Sequence, residues 1–362
     1  MGPGTRRSIE GALARRGTVK GLFVAFSFVA ITQMAAVERA TAGADAPLDA
    51  ERMARRVADD ALDGRLDDHS LLQAALWYDA AVDAARLDRA GAAYVRWCER
   101  TVAAAAQART RREQARFLLH ALHDRWCFGP FEAPCSRIEA TLQEGRYNCV
   151  TTVILFHVLA RRMGWTTETV AVPGHVFVRI SGDRPLDIQT TCRGWLDEGI
   201  RQPPVPGGPQ RVLSDVQLLA KLHYNAGVIA LSQGRYAAAA SSFRQALVWD
   251  PQDRSAAQNL VAAYNNGALH LCQSDRHAEA IATIERAVQI DPLLAMLREN
   301  EVYIYHHWLN HLAATGQRDA AEALTRYLQR HQREYLRNRQ WHPRRPPAAN
   351  APAPGVASHA RR

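Results

Sequence analysis

Apolar positions recur with a helical period over most of the chain. Between about Leu48 and Trp126, Leu71, Leu72, Ala75, Leu76 and Tyr78 fall at near-helical spacing, as do Phe117, Leu118, Ala121 and Leu122. The alanine-rich stretch Thr101–Ala108 favours helix by propensity. Thr151–Met163 is strongly apolar, and Gly164 after its last turn is an ordinary helix stop. Strand-like alternation is confined to about Thr166–Thr191. It predicts a strand over Thr166–Val172, a turn at Pro173-Gly174 and a strand over His175–Ile180. A tight loop at Ser181-Gly182-Asp183 and a returning strand over Leu186–Thr191 follow. His175, Phe177 and Arg179 share one face of the middle strand, and Asp187, Gln189 and Thr191 share one face of the last. With Ile180 opposite Arg184 across a three-residue loop, His175 faces Gln189 and Asp187 faces Phe177. Directly opposed side chains lie about 5 Å apart and diagonal ones about 7–8 Å.

Helical spacing resumes near Ser214 and runs to Tyr335. It contains an internal repeat. Tyr224-Asn225-Ala226-Gly227, Gly234-Arg235-Tyr236, Ala239, Phe243, Ala246 and Asp250-Pro251 follow one another as in a helix–turn–helix unit of about 34 residues. Tyr264-Asn265-Asn266-Gly267, Ala280, Ile284, Ala287 and Asp291-Pro292 repeat it. The two prolines are 41 apart, so the first helix of the second unit is extended. A third, fragmentary copy runs through Trp308, Gly316, Ala320, Leu324 and Tyr327. These residues resemble tetratricopeptide repeats, which implies a surface for a peptide or protein partner. The alternative is that the helices only brace their neighbour.

The chain has 362 residues, 47% hydrophobic and 22% charged, which excludes collagen-like, fully disordered and multi-span membrane classes. Its net charge of +9 is carried by its ends: residues 1–42 hold +4, residues 333–362 hold +6, and the remainder is −1. A nucleic-acid-binding domain is therefore not indicated. Arginines and Lys20 precede the uncharged stretch Gly21–Val37, and Ala40-Thr41-Ala42 fits a small-x-small cleavage site. Residues 1–42 are read as a signal peptide, or as a retained anchor and then the chain's one link to a membrane. An exported location follows (periplasm, envelope or outside the cell). Residues 336–362, rich in proline, alanine and arginine, read as a disordered tail.

The chemistry concentrates in Gly145–Gly194. Cys149 stands at or just before the start of the apolar helix, where free amides and the helix dipole favour a thiolate and could hold an oxyanion. His175 opens the following hairpin strand. A thiol at a helix start with a histidine on an adjacent strand is an arrangement for acyl transfer, completed by a third polar group that fixes the imidazole tautomer.

Asn148-Cys149-Val150-Thr151, Pro173-Gly174-His175-Val176-Phe177-Val178-Arg179 and Ile188-Gln189-Thr190-Thr191 resemble the three blocks of the bacterial transglutaminase-like superfamily. The resemblance covers about 70 residues. It implies a papain-like core with a Cys-His-acid triad and a peptide or protein substrate. The third block departs from the pattern, with Gln189 where relatives carry Glu. Gln189 can orient the imidazole through its amide, and Asp187 reaches it if a bulge shifts the register. The candidate catalytic residues are thus Cys149, His175, Asp187 and Gln189.

The expected fold class is α+β: N-terminal helices over 48–128, a transglutaminase-like core with a small antiparallel sheet over 129–213, and a C-terminal α-solenoid of tetratricopeptide-like helix pairs over 214–335. Cys127 and Cys135 are read either as a disulfide or as buried thiols. His306, His307 and His311 give a His-x3-His spacing without an accompanying carboxylate or cysteine at ligand spacing, and read as a packed or solvated helix face. No metal or cofactor is expected. Two functions compete. One is an exported thiol enzyme acting on peptide amides by hydrolysis or transamidation; the other is a catalytically impaired scaffold that binds proteins in the envelope.

Overall fold

Burial around the whole circumference of one helix organises the first half of the chain. The computed structural model describes residues 46–78, 83–198 and 209–331. Within it every side chain from Cys149 to Ala160 is buried. A helix that is apolar all round has to sit inside. This helix, α6 (Cys149–Arg162), follows α1 (Ala46–Asp60), α2 (Leu71–Trp77), α3 (Ala84–Ala105), α4 (Arg111–Trp126) and α5 (Ile138–Glu144). It packs against α2, α3, α4 and α7 (Asp215–Ser232), and against two strands. Tyr94 on α3 donates its hydroxyl to the Leu155 carbonyl at 2.7 Å, so the buried phenol has its partner.

The strands are β1 (Thr167–Val172), β2 (His175–Ile180), β3 (Leu186–Ile188) and β4 (Arg211–Leu213). They form one antiparallel sheet in the order β3-β2-β1-β4. Pro173 and Gly174 join β1 to β2, with Val172 opposite His175. Gly174 has φ 75°, which is what the second central position of a proline-led type II turn requires. Val176, Val178, Ile180 and Ile188 belong to the same core as α6, while Val170, Val172 and Phe177 form a small cluster of their own. His157 on α6 ties the sheet down. Its Nδ1 meets the Thr167 hydroxyl and its Nε2 the Thr169 hydroxyl, both at 2.7 Å. Burial pushes its pKa down to about 4, so the ring is neutral at pH 7, one nitrogen donating and the other accepting.

Three sequence expectations change here. β3 stops at Ile188 instead of Thr191, and Ile180 pairs with Leu186 instead of Arg184. The loop therefore spans Ser181–Pro185, and Asp187 lies opposite Arg179, not Phe177. β4 has no strand-like alternation to announce it, since it is three residues long and exists by pairing with β1. Cys127 and Cys135 are buried free thiols.

The helical remainder contains α7, α8 (Tyr236–Trp249), α9 (Arg254–Gln273), α10 (His277–Ile290), α11 (Ala295–Ala314) and α12 (Arg318–His331). The second helices of the pairs start at Tyr236, His277 and Arg318, a step of 41 residues each time, and each is 14 residues long. α9 and α11 each have 20 residues. Seven residues beyond a 34-residue unit add about two helical turns, which keeps the buried face in phase. The third copy, fragmentary in sequence, is a full helix pair.

The described residues of 42–233 and 241–257 form one unit, and those of 234–240 and 258–351 another. In the first, a Cβ on Gly227 of α7 would come within 2.6 Å of the Phe243 ring on α8. In the second, α11 lies between α10 and α12, and Asn300 donates to Asn265 at 2.6 Å in the buried interior. The expected export segment and the arginine-rich tail lie outside the described residues. No described helix is long and apolar enough to cross a membrane.

The Gly227 contact leaves no space for a methyl group. Gly227→Ala is expected to lower stability by about 1–3 kcal/mol, the usual cost of overpacking, measured as a fall in the denaturation midpoint. An unchanged midpoint would contradict the close approach of α7 and α8.

Candidate functional site

The site is built on the start of α6. Asn148 caps the helix: its Oδ1 accepts from the Val150 and Thr151 amides, both at 3.0 Å. Its Nδ2 donates to the carbonyls of Ala133 and Cys135, both at 2.8 Å. The Thr151 hydroxyl in turn accepts from the Asn148 amide at 3.1 Å, closing a capping box. Every hydrogen-bonding position of this fully buried amide is thus used.

Cys149 is the first residue of the helix and is 1% exposed. Its sulfur sits among backbone amides, those of Val176 at the start of β2 and of Val150 and Cys149 itself. Each of these lowers the thiol pKa, as the position at a helix start leads one to expect. Burial opposes them and wins, pushing the thiol up to about 11. At neutral pH the group is a protonated thiol, which corrects the expectation of a stabilised thiolate.

His175 begins β2, one residue before the amide that meets the sulfur. Its Nε2 is hydrogen bonded to Oε1 of Gln189. With the amide oxygen accepting, Nε2 carries a proton. The two residues meet although the register places them diagonally, because both lie on the side of their strands away from Val176 and Ile188. Asp187 takes another course. Its carboxylate forms a two-pronged pair with Arg179, at 2.7 and 2.8 Å, and its backbone carbonyl accepts from the Trp195 indole at 2.9 Å. Asp187 is engaged by Arg179 and braces the sheet edge.

Residues that sequence reasoning did not single out hold Gln189 in place. The Thr190 hydroxyl meets Thr152 of α6 at 2.7 Å, and the Thr190 carbonyl meets His123 Nε2 of α4 at 2.8 Å. Gln189 is itself buried, and its Nε2 has no hydrogen-bond partner. A carboxylate would fill the same space without leaving an N–H unpaired. The pairing of Thr152 with Thr190 joins residues 38 apart, so no local pattern signals it.

Residues 220–253 match the tetratricopeptide repeat family. Over 107 residues the chain is 30% identical to Photosystem I assembly protein Ycf3 of Rippkaea orientalis (strain PCC 8801 / RF-1), which is 29% of this chain and 58% of that protein. The chain thus spans less than two thirds of this relative's length. Among solved structures it is similar to the crystal structure of menin that reveals the binding site for Mixed Lineage Leukemia (MLL) protein, with TM-score 0.33 and 12% identity over 76% of each chain. Likeness at that level carries no argument about fold. The tetratricopeptide match points to protein–protein interaction.

Gln189→Glu replaces the amide by a carboxylate at the imidazole. The His175 ring is expected to titrate at higher pH in this variant than in the parent, because the charge favours the imidazolium. A ring NMR titration reads this directly; an unmoved curve would show that Gln189 does not partner His175.

Proposed function

We propose that this is a protein-binding protein: a tetratricopeptide-type array engages a protein partner, and a papain-like transglutaminase-type core serves as its scaffold with a latent thiol site. The observation that carries this reading is the recurrence of the second helices at Tyr236, His277 and Arg318 in equal steps. Helix pairs repeated at constant spacing build extended surfaces that suit peptides and proteins. The matched relative's name, an assembly protein, is in keeping with a protein partner. In this reading residues 1–42 direct the chain to the cell envelope, and the core is catalytically silent while Cys149 stays buried and protonated.

A second reading has one observation in its favour. The Gln189 amide fixes the His175 tautomer, and an amide in that role is compatible with thiol catalysis. Cys149 would then attack a peptide amide, with His175 taking the thiol proton and passing it to the leaving amine. Water or a second amine would release the acyl group.

Two experiments separate these. Photo-crosslinking groups placed at Glu299 on α11 and, as a control, at Arg89 on α3, both exposed, are read in cells of the source organism. The binding reading expects a defined protein adduct from Glu299 and none from Arg89; no adduct at Glu299, or equal adducts at both, would contradict it. Alkylation of Cys149 at pH 7 is then followed by mass spectrometry. Burial moves the thiol from 9.0 to about 11, so labelling is expected to be at least about 100-fold slower in the native chain than in denaturant, and indifferent to His175→Ala. Rapid native labelling that His175→Ala abolishes would establish the enzyme instead.

A further inference from the structure

We propose that Cys272, Asp275, His277 and His307 bind a divalent transition metal of the zinc class, with His311 holding the Asp275 carboxylate from outside the ligand set. These residues come from the end of α9, the α9–α10 turn, the start of α10 and the middle of α11. One ligand atom each from Cys272, His277 and His307 lies within 4.8 Å of the others, and the same holds for Asp275, His277 and His311. His277 belongs to both triads, and its Nε2 faces both His307 and the Asp275 carboxylate, so this ring links the two groups.

The distances suit an ion. His277 Nε2 is 2.9 Å from His307 Nδ1 and 3.8 Å from the Asp275 carboxylate, and that carboxylate is 3.0 Å from His311 Nδ1. Donors bound to tetrahedral zinc at about 2.0–2.3 Å lie about 3.3–3.8 Å from one another. Small rotations of the two facing imidazoles therefore open the space required. A thiolate, two imidazoles and one carboxylate form a donor set that favours zinc over magnesium or calcium. Cys272 and His277 are buried, while the Asp275 side chain is 56% exposed, which leaves a route for the ion. The His277 ring is also fixed by a hydrogen bond to the Asp275 backbone, the kind of outer contact that orients a ligating imidazole.

A comparison of the three turns gives independent support. Two residues before the second helix of each pair, the backbone enters the left-handed region: Gly234 (φ 71°), Asp275 (φ 57°) and Gly316 (φ 70°). Glycine takes this conformation freely, and aspartate is among the few L-residues that also enter it. Only the middle turn carries a side chain there, and that side chain is the carboxylate facing His277 and His311. At the position five before the second helix the units have Leu231, Cys272 and Ala313; at its first residue they have Tyr236, His277 and Arg318. At these three positions the middle unit carries three metal-ligand types, where its neighbours carry none. The His-x3-His spacing on α11 has no cysteine or carboxylate of its own helix beside it, and the preceding helix pair supplies both.

Loading displaces protons. The Cys272 thiol proton goes to solvent as the sulfur–metal bond forms, and the ring that donates in the His277–His307 hydrogen bond changes tautomer, its hydrogen moving through solvent to the other nitrogen of the same ring. The ion would join α9 and α10 to α11, stapling the second repeat to the third. Neighbour contacts of this kind govern the stability of repeat arrays.

The test uses the purified full-length chain, stripped with a chelator and titrated with cobalt(II), then zinc. Expected is one equivalent of cobalt with tetrahedral visible bands and a sulfur-to-cobalt charge-transfer band, displaced by zinc, and a rise in thermal midpoint with zinc. Cys272→Ser is expected to lose the charge-transfer band. His307→Gln, at a half-buried position that tolerates change better, is expected to weaken zinc at least about 100-fold and to abolish the thermal shift, while Cys192→Ala keeps both signals. A cobalt spectrum without the sulfur band, or zinc affinity unchanged in folded Cys272→Ser and His307→Gln, would reduce the cluster to histidines packed on Trp308 and overturn the proposal.

Discussion

A helix that starts inside a protein brings its free amides with it, and they must find partners there. In this chain the demand falls on Asn148. Its side chain satisfies two amides of α6 with one end and two carbonyls of the preceding loop with the other. The Cys135 carbonyl that it holds also accepts from Asn225 of α7 at 3.0 Å. One side chain thereby joins the loop before α6, α6 itself and, through a shared acceptor, the first helix of the repeat region. Loss of such a cap alone costs about 1 kcal/mol, and each stranded buried carbonyl adds about 1–3 kcal/mol.

The same burial decides the character of Cys149. A helix N-terminus favours a thiolate by about 0.3–1 kcal/mol, up to about 2 in partly buried settings. Burial pushes the thiol from 9.0 to about 11, which corresponds to about 3 kcal/mol in the opposite direction. Desolvation therefore exceeds the combined pull of three amides. An arrangement that would activate sulfur at an open helix start here produces a quiet thiol. Burial of the site, more than the identity of its residues, sets the state of this thiol.

Much of this was legible in sequence because it is local. The start of α6 at Cys149, its end near Gly164, the Pro173-Gly174 turn and the limits of β2 follow from short-range pattern. The meeting of His175 with Gln189 was also foreseen, but through a register two residues off, since the loop after Ile180 holds five residues and not three. That slip preserved the parity of the strand, so the faces came out right while Asp187 was given the wrong neighbour. β4, the Thr152–Thr190 contact and the union of Cys272, Asp275 and His277 with α11 depend on pairs distant in sequence, and no periodicity reports them. The raised Cys149 pKa escaped for the same reason, as burial at one residue is a property of everything packed around it.

The start of α6 stays shut in the native chain. Native-state hydrogen exchange at the amides of Val150, Thr151 and Val176 tests it most directly, with Leu155 in the middle of α6 as the internal reference. These amides are expected to exchange as slowly as Leu155, through opening of the whole unit. Exchange hundreds of times faster than at Leu155 would show that the thiol corner opens by itself, and would contradict a site that stays closed.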